Sequence, residues 1–271
     1  MKHTNITAYE GVENLSSFDE PTFIAYCEGK IFDCAKQVTF LREFINENNY
    51  AGNVLEVGSG NSKLLYALER NDLLNYGVGY ELSSTRVEFA NKFASYIGSN
   101  KVENLCADFI EHDTKHEGFD LVIGVDIVMQ LIVPVAKDNE KKFLDKAFHL
   151  LKPGGALILE LMDFSDVIKM NDLSINKLRL WKEFDSFDPW QYGLDKFTIS
   201  GNDIIWDKVF ISRDRGIDDS FFQNILRHYT FKTIHEKLCA AGFLSENIHQ
   251  HKYWETEGDI PNDEYVVSAV K

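Results

Sequence analysis

The stretch LEVGSGNS at residues 55–62 places an acid and two glycines directly after an apolar run. Glycine adopts positive φ at little cost, so the turn formed by Gly58, Ser59 and Gly60 exposes backbone N–H groups and allows close approach to the main chain. Open α/β sheets bind their ligands at such turns, at the carboxyl ends of the strands. The spacing therefore predicts a ligand-binding loop with Glu56 beside it.

The glycine spacing alone is weak evidence for any one nucleotide cofactor. A dinucleotide fingerprint needs a third small residue, G-x-G-x-x-G/A, for close packing of helix on strand around a pyrophosphate. Lys63 occupies that third position, which argues mildly against NAD. An NAD-dependent oxidoreductase and a non-catalytic cofactor binder with a regulatory role stay open as alternatives.

Several segments, taken in their order along the chain, resemble the motifs of class I S-adenosylmethionine-dependent methyltransferases. LEVGSGNS resembles motif I of that family, with Ser62 in place of a third glycine. Glu81 in GYELS matches the acid that bonds both ribose hydroxyls, and Asp108 in CADF matches the residue that accepts from the adenine amino group. FDLVIGVD resembles the fourth-strand motif, and LLKPGGALIL resembles the turn before strand five. The resemblance covers about residues 50–162 and 229–271.

The resemblance implies S-adenosylmethionine as the cofactor and transfer of its methyl group to an oxygen or nitrogen by in-line displacement. One carboxylate can accept hydrogen bonds from two vicinal hydroxyls, which suits a ribose. The resemblance and the glycine turn together place these residues at the cofactor: Glu56, Gly58, Ser59, Gly60, Glu81, Leu82, Asp108, Phe109 and Asp126.

Methylation of a hydroxyl requires a base near the carboxyl edge of the sheet. His228 is the preferred candidate because imidazole titrates near neutral pH. Asp126, just after strand four, and Asp163, after strand five, are the other two candidates. Each carboxylate could instead cap a helix or bond to the backbone. His228 could lie at the surface or pack against the inserted segment 163–228. No cysteine or histidine spacing typical of a metal site occurs, so no metal is expected.

The acceptor site is predicted in the segment 163–228, which is rich in aspartate and aromatic residues and interrupts the regular alternation of elements. An arginine near aromatic side chains could clamp a phosphate or carboxylate of the acceptor. The aromatic residues could equally close a small core of their own while the arginines face water. The candidate acceptor-binding residues are Tyr26, Arg179, Trp190, Tyr192 and Arg227.

Strand and helix patterns alternate through much of the chain, which predicts a doubly wound α/β fold. With the resemblance, the sheet is expected to be mostly parallel, seven-stranded and Rossmann-like. We expect an N-terminal arm and helices at 1–49 that cover the cofactor. The cofactor-binding core should comprise 50–162 and 229–271, with 163–228 as an inserted cap over the acceptor site.

The formal net charge of −15, from 28 basic and 43 acidic side chains in 271 residues, disfavours nucleic acid and anionic membranes as partners. The four cysteines are scattered, which is typical of a reducing compartment, and the first residues lack an apolar signal sequence. We therefore expect a cytoplasmic protein that acts on a small polar acceptor, such as a sugar, nucleotide sugar or phosphorylated compound. The sequence contains no signal for oligomeric state.

Overall fold

The computed structural model describes residues 11, 13–172, 178–186, 188, 190–213, 216–252, 254 and 263–271. Within these ranges, the described side chains exclude those at 167, 170–172, 178–180, 216–221 and 263. The side chain of Arg179, a predicted acceptor-binding residue, therefore lies outside the described part.

Helices separate the first three strands from one another, no helix lies between the third and the fourth, and helices again separate the fourth from the fifth. The helices are α1 (Glu20–Asp33), α2 (Ala35–Glu47), α3 (Lys63–Arg70), α4 (Ser84–Ile97), α5 (Val128–Ile132), α6 (Asn139–Leu150), α7 (Ser165–Asp172) and α8 (Phe231–Ala240). The strands are β1 (Asn53–Val57), β2 (Tyr76–Glu81), β3 (Val102–Cys106), β4 (Phe119–Gly124), β5 (Leu151–Asp163), β6 (Leu178–Glu183), β7 (Trp190–Ser200), β8 (Asp203–Ser212), β9 (Gly216–Arg227), β10 (Ile248–Lys252) and β11 (Asp263–Val270). Single 3-10 turns occur at Leu15–Ser17, Val133–Val135 and Ser245–Asn247.

The main sheet has seven strands in the order β10-β11-β5-β4-β1-β2-β3. Strands β1 to β5 pair in parallel, and β11 pairs antiparallel with both β5 and β10. The predicted doubly wound, mostly parallel, Rossmann-like sheet is therefore confirmed. Because the strand order reverses between β1 and β4, their carboxyl ends border the crevice where such folds bind ligands.

Both faces of the main sheet are covered, which explains why β4 is buried at every position. Successive side chains of a strand point to opposite faces, so Leu121 and Val122 of β4 enter different cores. Leu121 packs in the cluster that contains Leu41 of α2. Val122 packs in the cluster that contains Phe143 of α6 and Leu238 of α8. Among the described residues, none of the helices is long and apolar enough to cross a bilayer.

The N-terminal helix α1 begins at an Asp19 cap whose carboxylate accepts from the Thr22 N–H. Its buried face packs on α4 through an aromatic cluster in which Phe18, Phe23 and Tyr26 all contact Phe89. This packing brings Gly11 and Glu13, which precede α1, against the start of α4: the Gly11 N–H donates to Thr85 Oγ1 at 2.9 Å, and Glu13 accepts from Arg86 Nε.

Strands β6 to β9 form a separate antiparallel sheet of four strands in sequential order. The sequence pattern predicts only one strand here, DIIWDKVFIS. Charged and aromatic residues occur on both faces of these strands, so apolar and polar residues do not alternate with the period of two that is typical of a strand. One face packs on the main sheet through Phe197, Ile204 and Leu226, which form a cluster with Ile127 and Phe164. We call this the inner face and the opposite one the outer face.

Candidate functional site

The glycine turn after β1 has the backbone geometry that the sequence predicts. Gly58 and Gly60 have φ values of 68° and 57°, a region that side chains with a Cβ rarely adopt. A Cβ at Gly58 would lie 2.3 Å from Cγ2 of Val128, and one at Gly60 would lie 2.3 Å from a guanidinium nitrogen of Arg86. Glycine is therefore favoured at both positions by the backbone conformation, and at Gly58 also by the space that the Val128 side chain occupies.

The Glu81 carboxylate at the end of β2 is fixed against this turn. Its Oε2 accepts from the Gly60 N–H at 2.9 Å, and its Oε1 accepts from the Ser83 N–H at 2.8 Å. Arg86 Nη1 lies 3.6 Å from Oε2 and adds a positive charge. Because a carboxylate offers about four acceptor positions, each oxygen keeps capacity for one more donor. The Glu81 carboxylate can therefore accept two further hydrogen bonds.

Glu13, which belongs to no recognisable sequence motif, connects the residues before α1 to the same turn. Its buried carboxylate accepts from Asn61 Nδ2 at 2.6 Å, Tyr26 Oη at 2.7 Å and Arg86 Nε at 3.0 Å. Burial acts to raise the pKa of Glu13, but Arg86 and the hydrogen bond from Tyr26 bring it below its ordinary value. The Tyr26 hydroxyl is therefore bonded inside this network, and its contact with the acceptor stays a prediction.

Glu56, at the carboxyl end of β1, is a buried acid with an unused oxygen. The residue is 2% exposed, and its Oε2 has no hydrogen-bond partner in the described part of the chain. Burial raises the pKa of Glu56 to about 8, although the nearby Lys63 charge opposes this. A buried polar atom without a partner needs an explanation, and a donor on a ligand held at the glycine turn would supply one.

The pKa of Glu56 predicts how stability depends on pH. The folded protein holds this proton up to about pH 8, whereas the unfolded chain releases it near pH 4.5. Unfolding therefore releases a proton between these values, so the free energy of unfolding should fall as pH rises from 4.5 to 8 and then level off.

Urea unfolding of ligand-free protein at several pH values tests this expectation. Glu56→Gln should flatten the decline in part, because burial also raises the pKa of Glu160 to about 8. The double variant with Glu160→Gln should lose most of the slope. Substitution of the exposed Glu43 by glutamine serves as the control, and an unchanged slope in the Glu56 variant would contradict the assignment.

Asp126 follows β4 in a strained backbone. Asp126 and Ile127 have φ values of 51° and 55°, and a β-branched residue in this region is an outlier of the kind that clusters at functional sites. The Asp126 carboxylate is 70% exposed, lies 3.5 Å from Lys63 Nζ, and does not cap α5. The Lys63 charge is the main cause that holds the pKa of Asp126 below its ordinary value. The residue is therefore an ionised group at the carboxyl edge.

Asp163 and His228, two candidate bases separated by 65 residues, are hydrogen-bonded to each other. His228 Nε2 lies 2.9 Å from Asp163 Oδ1, which also accepts from the Ser165 N–H at 2.8 Å. Burial acts to raise the pKa of Asp163, but these hydrogen bonds bring it below its ordinary value. The carboxylate is thus an acceptor, so Nε2 carries a proton, and in the neutral imidazole the lone pair then lies on Nδ1.

Gln130 of α5 joins the two strands that carry this pair, and the sequence offered no signal for it. The Gln130 side chain is completely buried and donates to the carbonyl oxygens of Met162 at 3.1 Å and Arg227 at 2.9 Å. It also accepts from the Met162 N–H at 2.7 Å. These bonds hold the end of β5 beside the end of β9, and the Asp163–His228 pair follows from that placement.

The other predicted cofactor residues lie at the carboxyl ends of β2 and β3. Leu82 is 40% exposed immediately after β2. Asp108 accepts from the Ile110 N–H at 2.7 Å and so closes the turn after β3. Phe109 is 3% exposed and packs on Tyr80 and Phe143, with ring centroids 5.6 and 5.4 Å away. Phe109 therefore contributes to the core, and its cofactor contact stays a prediction.

Strand register separates the predicted acceptor-binding residues of the second sheet. Trp190 stacks on Phe210 of the inner face, with ring centroids 5.0 Å apart. Tyr192 packs on the exposed Trp181 on the outer face, with ring centroids 4.7 Å apart. Arg227 pairs on that face with Asp203, at 2.5 Å between Nε and Oδ1. Tyr192 and Arg227 therefore face away from the main sheet, and their contact with the acceptor stays a prediction.

The inner face instead carries Lys208 and Asn224, which the sequence analysis did not select. Alternation within DIIWDKVFIS places Lys208 on the same face as Ile204 and Trp206, and this was the available signal.

Among the described residues, histidine, cysteine and acidic side chains form no group of metal-binding size.

Comparisons with known proteins bear on this site. A family model described as "Methyltransferase domain" matches residues 48–195, which is more than half of the chain. The match spans the glycine turn, Glu81, Asp126 and Asp163. No curated protein sequence matches this chain.

Solved structures with the same architecture share little sequence with this chain. An S-adenosylmethionine-dependent methyltransferase from Clostridium acetobutylicum is 16% identical with a TM-score of 0.68, and the match covers 87% of this chain and 90% of that one. An amino pentose methyltransferase from Micromonospora echinaspora, bound to S-adenosylmethionine, is 16% identical with a TM-score of 0.64, covering 90% and 91%. A glycopeptide N-methyltransferase complexed with S-adenosylmethionine is 15% identical with a TM-score of 0.56, covering 86% and 93%. At such identities the likeness establishes the fold.

Proposed function

The chain belongs to the methyltransferase domain family, with the class I fold and S-adenosylmethionine as cofactor, and on that premise we propose that it methylates a small polar metabolite. The methyl group passes to an oxygen or nitrogen of the acceptor. The candidate acceptors are sugars, nucleotide sugars and phosphorylated compounds.

The observation that carries the proposal is the pairing of the glycine turn with Glu81 at the β1–β4 crevice. The Glu81 carboxylate is held by two backbone N–H groups and keeps acceptor capacity for two ribose hydroxyls. The unpartnered Oε2 of Glu56 fits an amino group of the cofactor's methionine part. The residues present thus suit a cofactor with vicinal hydroxyls and no phosphate.

The bound cofactor supplies an electrophilic methyl group on its sulfonium. The protein's own residues must orient the acceptor and take up the proton that it loses. Asp163 holds Nε2–H of His228, so that Nδ1 is the atom that receives this proton. The carboxylate of Asp163 then stabilises the imidazolium that results. Asp126, ionised and exposed at the end of β4, is the second candidate for the same role.

A small acceptor is favoured over a nucleic acid for two reasons. The net charge of −15 repels a phosphate backbone. The second sheet, within the proposed cap 163–228, packs its inner face toward the carboxyl edge of the main sheet, which suits enclosure of a small molecule. One solved structure of similar fold is an amino pentose methyltransferase, which supports a sugar-like acceptor.

Thermal unfolding with S-adenosylhomocysteine, and with NAD as the control, tests the cofactor assignment. Ligand at a hundred times its dissociation constant should stabilise the folded protein by about 2.7 kcal/mol, a shift of several degrees in the midpoint. Only S-adenosylhomocysteine should produce the shift. A shift with NAD, or with neither compound, would contradict the proposal.

A further inference from the structure

The inner face of the second sheet carries polar groups that the cofactor site does not use. Directly opposed residues of antiparallel strands have side chains on the same face. Lys208 lies opposite Asp195 and Phe222, and Asn224 lies opposite Trp206. These residues continue the rows that pack on the main sheet, so they face the space beside its carboxyl edge.

Asn224 is the least explained polar residue of this face. It is completely buried, and neither its amide nitrogen nor its amide oxygen has a hydrogen-bond partner in the described part of the chain. Leaving a buried donor or acceptor without a partner destabilises the folded protein. A group that donates and accepts at once, brought by a ligand, would satisfy both atoms.

Lys208 places a positive charge next to Asn224. Its Nζ lies 4.5 Å from the centroid of the Trp206 ring and 4.8 Å from that of Phe210. Burial lowers the pKa of Lys208, although the charge of Asp195 opposes this. Within the described residues, Lys208 forms no ion pair, because the facing Asp195 carboxylate instead accepts from Trp206 Nε1 at 2.7 Å.

Lys182 of β6 adds a second positive charge at the same end of the face. Its Nζ lies 4.8 Å from the centroid of the Phe184 ring, and within the described residues it also forms no ion pair. The carboxylate charge of Asp126 acts on both lysines, which places this end of the sheet within reach of the β4 carboxyl end. In a chain with a net charge of −15, two unpaired lysines here are a local exception.

We propose that Lys208 and Asn224, with Lys182 at the rim, form the acceptor subsite and bind an oxyanion of the acceptor, either a carboxylate or a phosphate. This inference rests on the proposed function and assigns it a substrate class. Lys208 pairs with the oxyanion between the two aromatic rings, and Asn224 bonds to a polar group next to it. Anchoring the acceptor at a point remote from the reacting atom orients that atom toward the methyl group.

The inference can be tested without knowing the acceptor. Protein saturated with S-adenosylhomocysteine is titrated with inorganic phosphate and, separately, with malonate, at an ionic strength kept constant with NaCl. The readouts are the shift of the unfolding midpoint and the tryptophan fluorescence, which Trp206 should report. Tighter binding of phosphate indicates a phosphorylated acceptor, and tighter binding of malonate indicates a carboxylated one.

Lys208→Gln should lower the affinity for the more tightly bound of the two anions at least tenfold, whereas Lys208→Arg should retain most of this affinity. The matched control is Lys196→Gln, because Lys196 lies on the outer face of the same strand pair, where it pairs with Asp207. Should Lys208→Gln fail to fold, substitution of the exposed Lys182 by glutamine should still lower the affinity for the anion severalfold.

Equal anion affinity in wild type, Lys208→Gln and Lys182→Gln, or no anion binding at all, would overturn the inference. If anions do not bind but S-adenosylhomocysteine does, the proposed function stands and only the subsite fails. If S-adenosylhomocysteine itself does not bind, the proposed function fails first, and the two failures are thus distinguished.

Discussion

Replacement of Glu81 by glutamine is expected to weaken S-adenosylhomocysteine binding by a factor on the order of 10² to 10⁴. Two hydrogen bonds from ribose hydroxyls to a carboxylate are lost or reduced, at about 1.5–3 kcal/mol each. The substitution also places an amide N–H₂ group where Glu81 now accepts from Gly60 and Ser83, which disturbs the turn itself. The largest effect on cofactor affinity should therefore come from this position.

Isothermal titration with S-adenosylhomocysteine measures the loss, and the unfolding midpoint without ligand checks that the variant is folded. Glu103→Gln is the matched control, because Glu103 is an acid on the adjacent strand β3 whose carboxylate bonds at the surface to Tyr76. It should leave the affinity unchanged. An unaltered affinity in the Glu81 variant would remove this residue from the cofactor site.

Replacement of His228 by alanine is expected to lower kcat by a factor of roughly 10² to 10⁴, the usual contribution of a general base. Affinity for S-adenosylhomocysteine should not change, because the Asp163–His228 pair lies apart from the bonds that hold Glu81. Asp163→Asn should also lower kcat, since an amide in place of the carboxylate no longer fixes the imidazole with its proton on Nε2. The effects of replacing residues that act as a unit are not additive. The double variant should therefore show a kcat little lower than that of His228→Ala alone.

The rates are measured with an acceptor from the class that the anion titrations identify. His235→Ala is the control, because His235 lies on α8 and bonds to Ser245 at the surface. Full activity of His228→Ala would shift the role of base to Asp126, and Asp126→Asn would then be the decisive variant.

The core of the fold could be predicted because its signals are local. FDLVIG reads as a buried parallel strand and forms β4, with every residue buried. Ser83 reads as a helix cap and accepts from the Arg86 N–H at the start of α4. The glycine turn is equally local, since the φ values of Gly58 and Gly60 follow from what these residues permit.

The second sheet could not be predicted with the same success, because the face on which each of its side chains lies depends on the strand register. Composition alone pointed to Tyr192 and Arg227, yet strand pairing places both on the outer face. A shift of one residue in a strand moves every side chain to the other face, so aromatic or basic character cannot decide which residues meet the acceptor.

The sequence by itself determined the alternating α/β core, the glycine turn and the acid at the end of β2, because strand burial, turn geometry and the succession of elements along the chain follow from short segments. Only the tertiary structure decided that His228 meets Asp163 across 65 residues and that Glu13 fastens the N-terminal segment to Arg86. The same holds for Asn224, buried without a partner beside Lys208. Contacts between distant segments depend on how whole elements pack and in which register, and neither is encoded in the residues next to the contact.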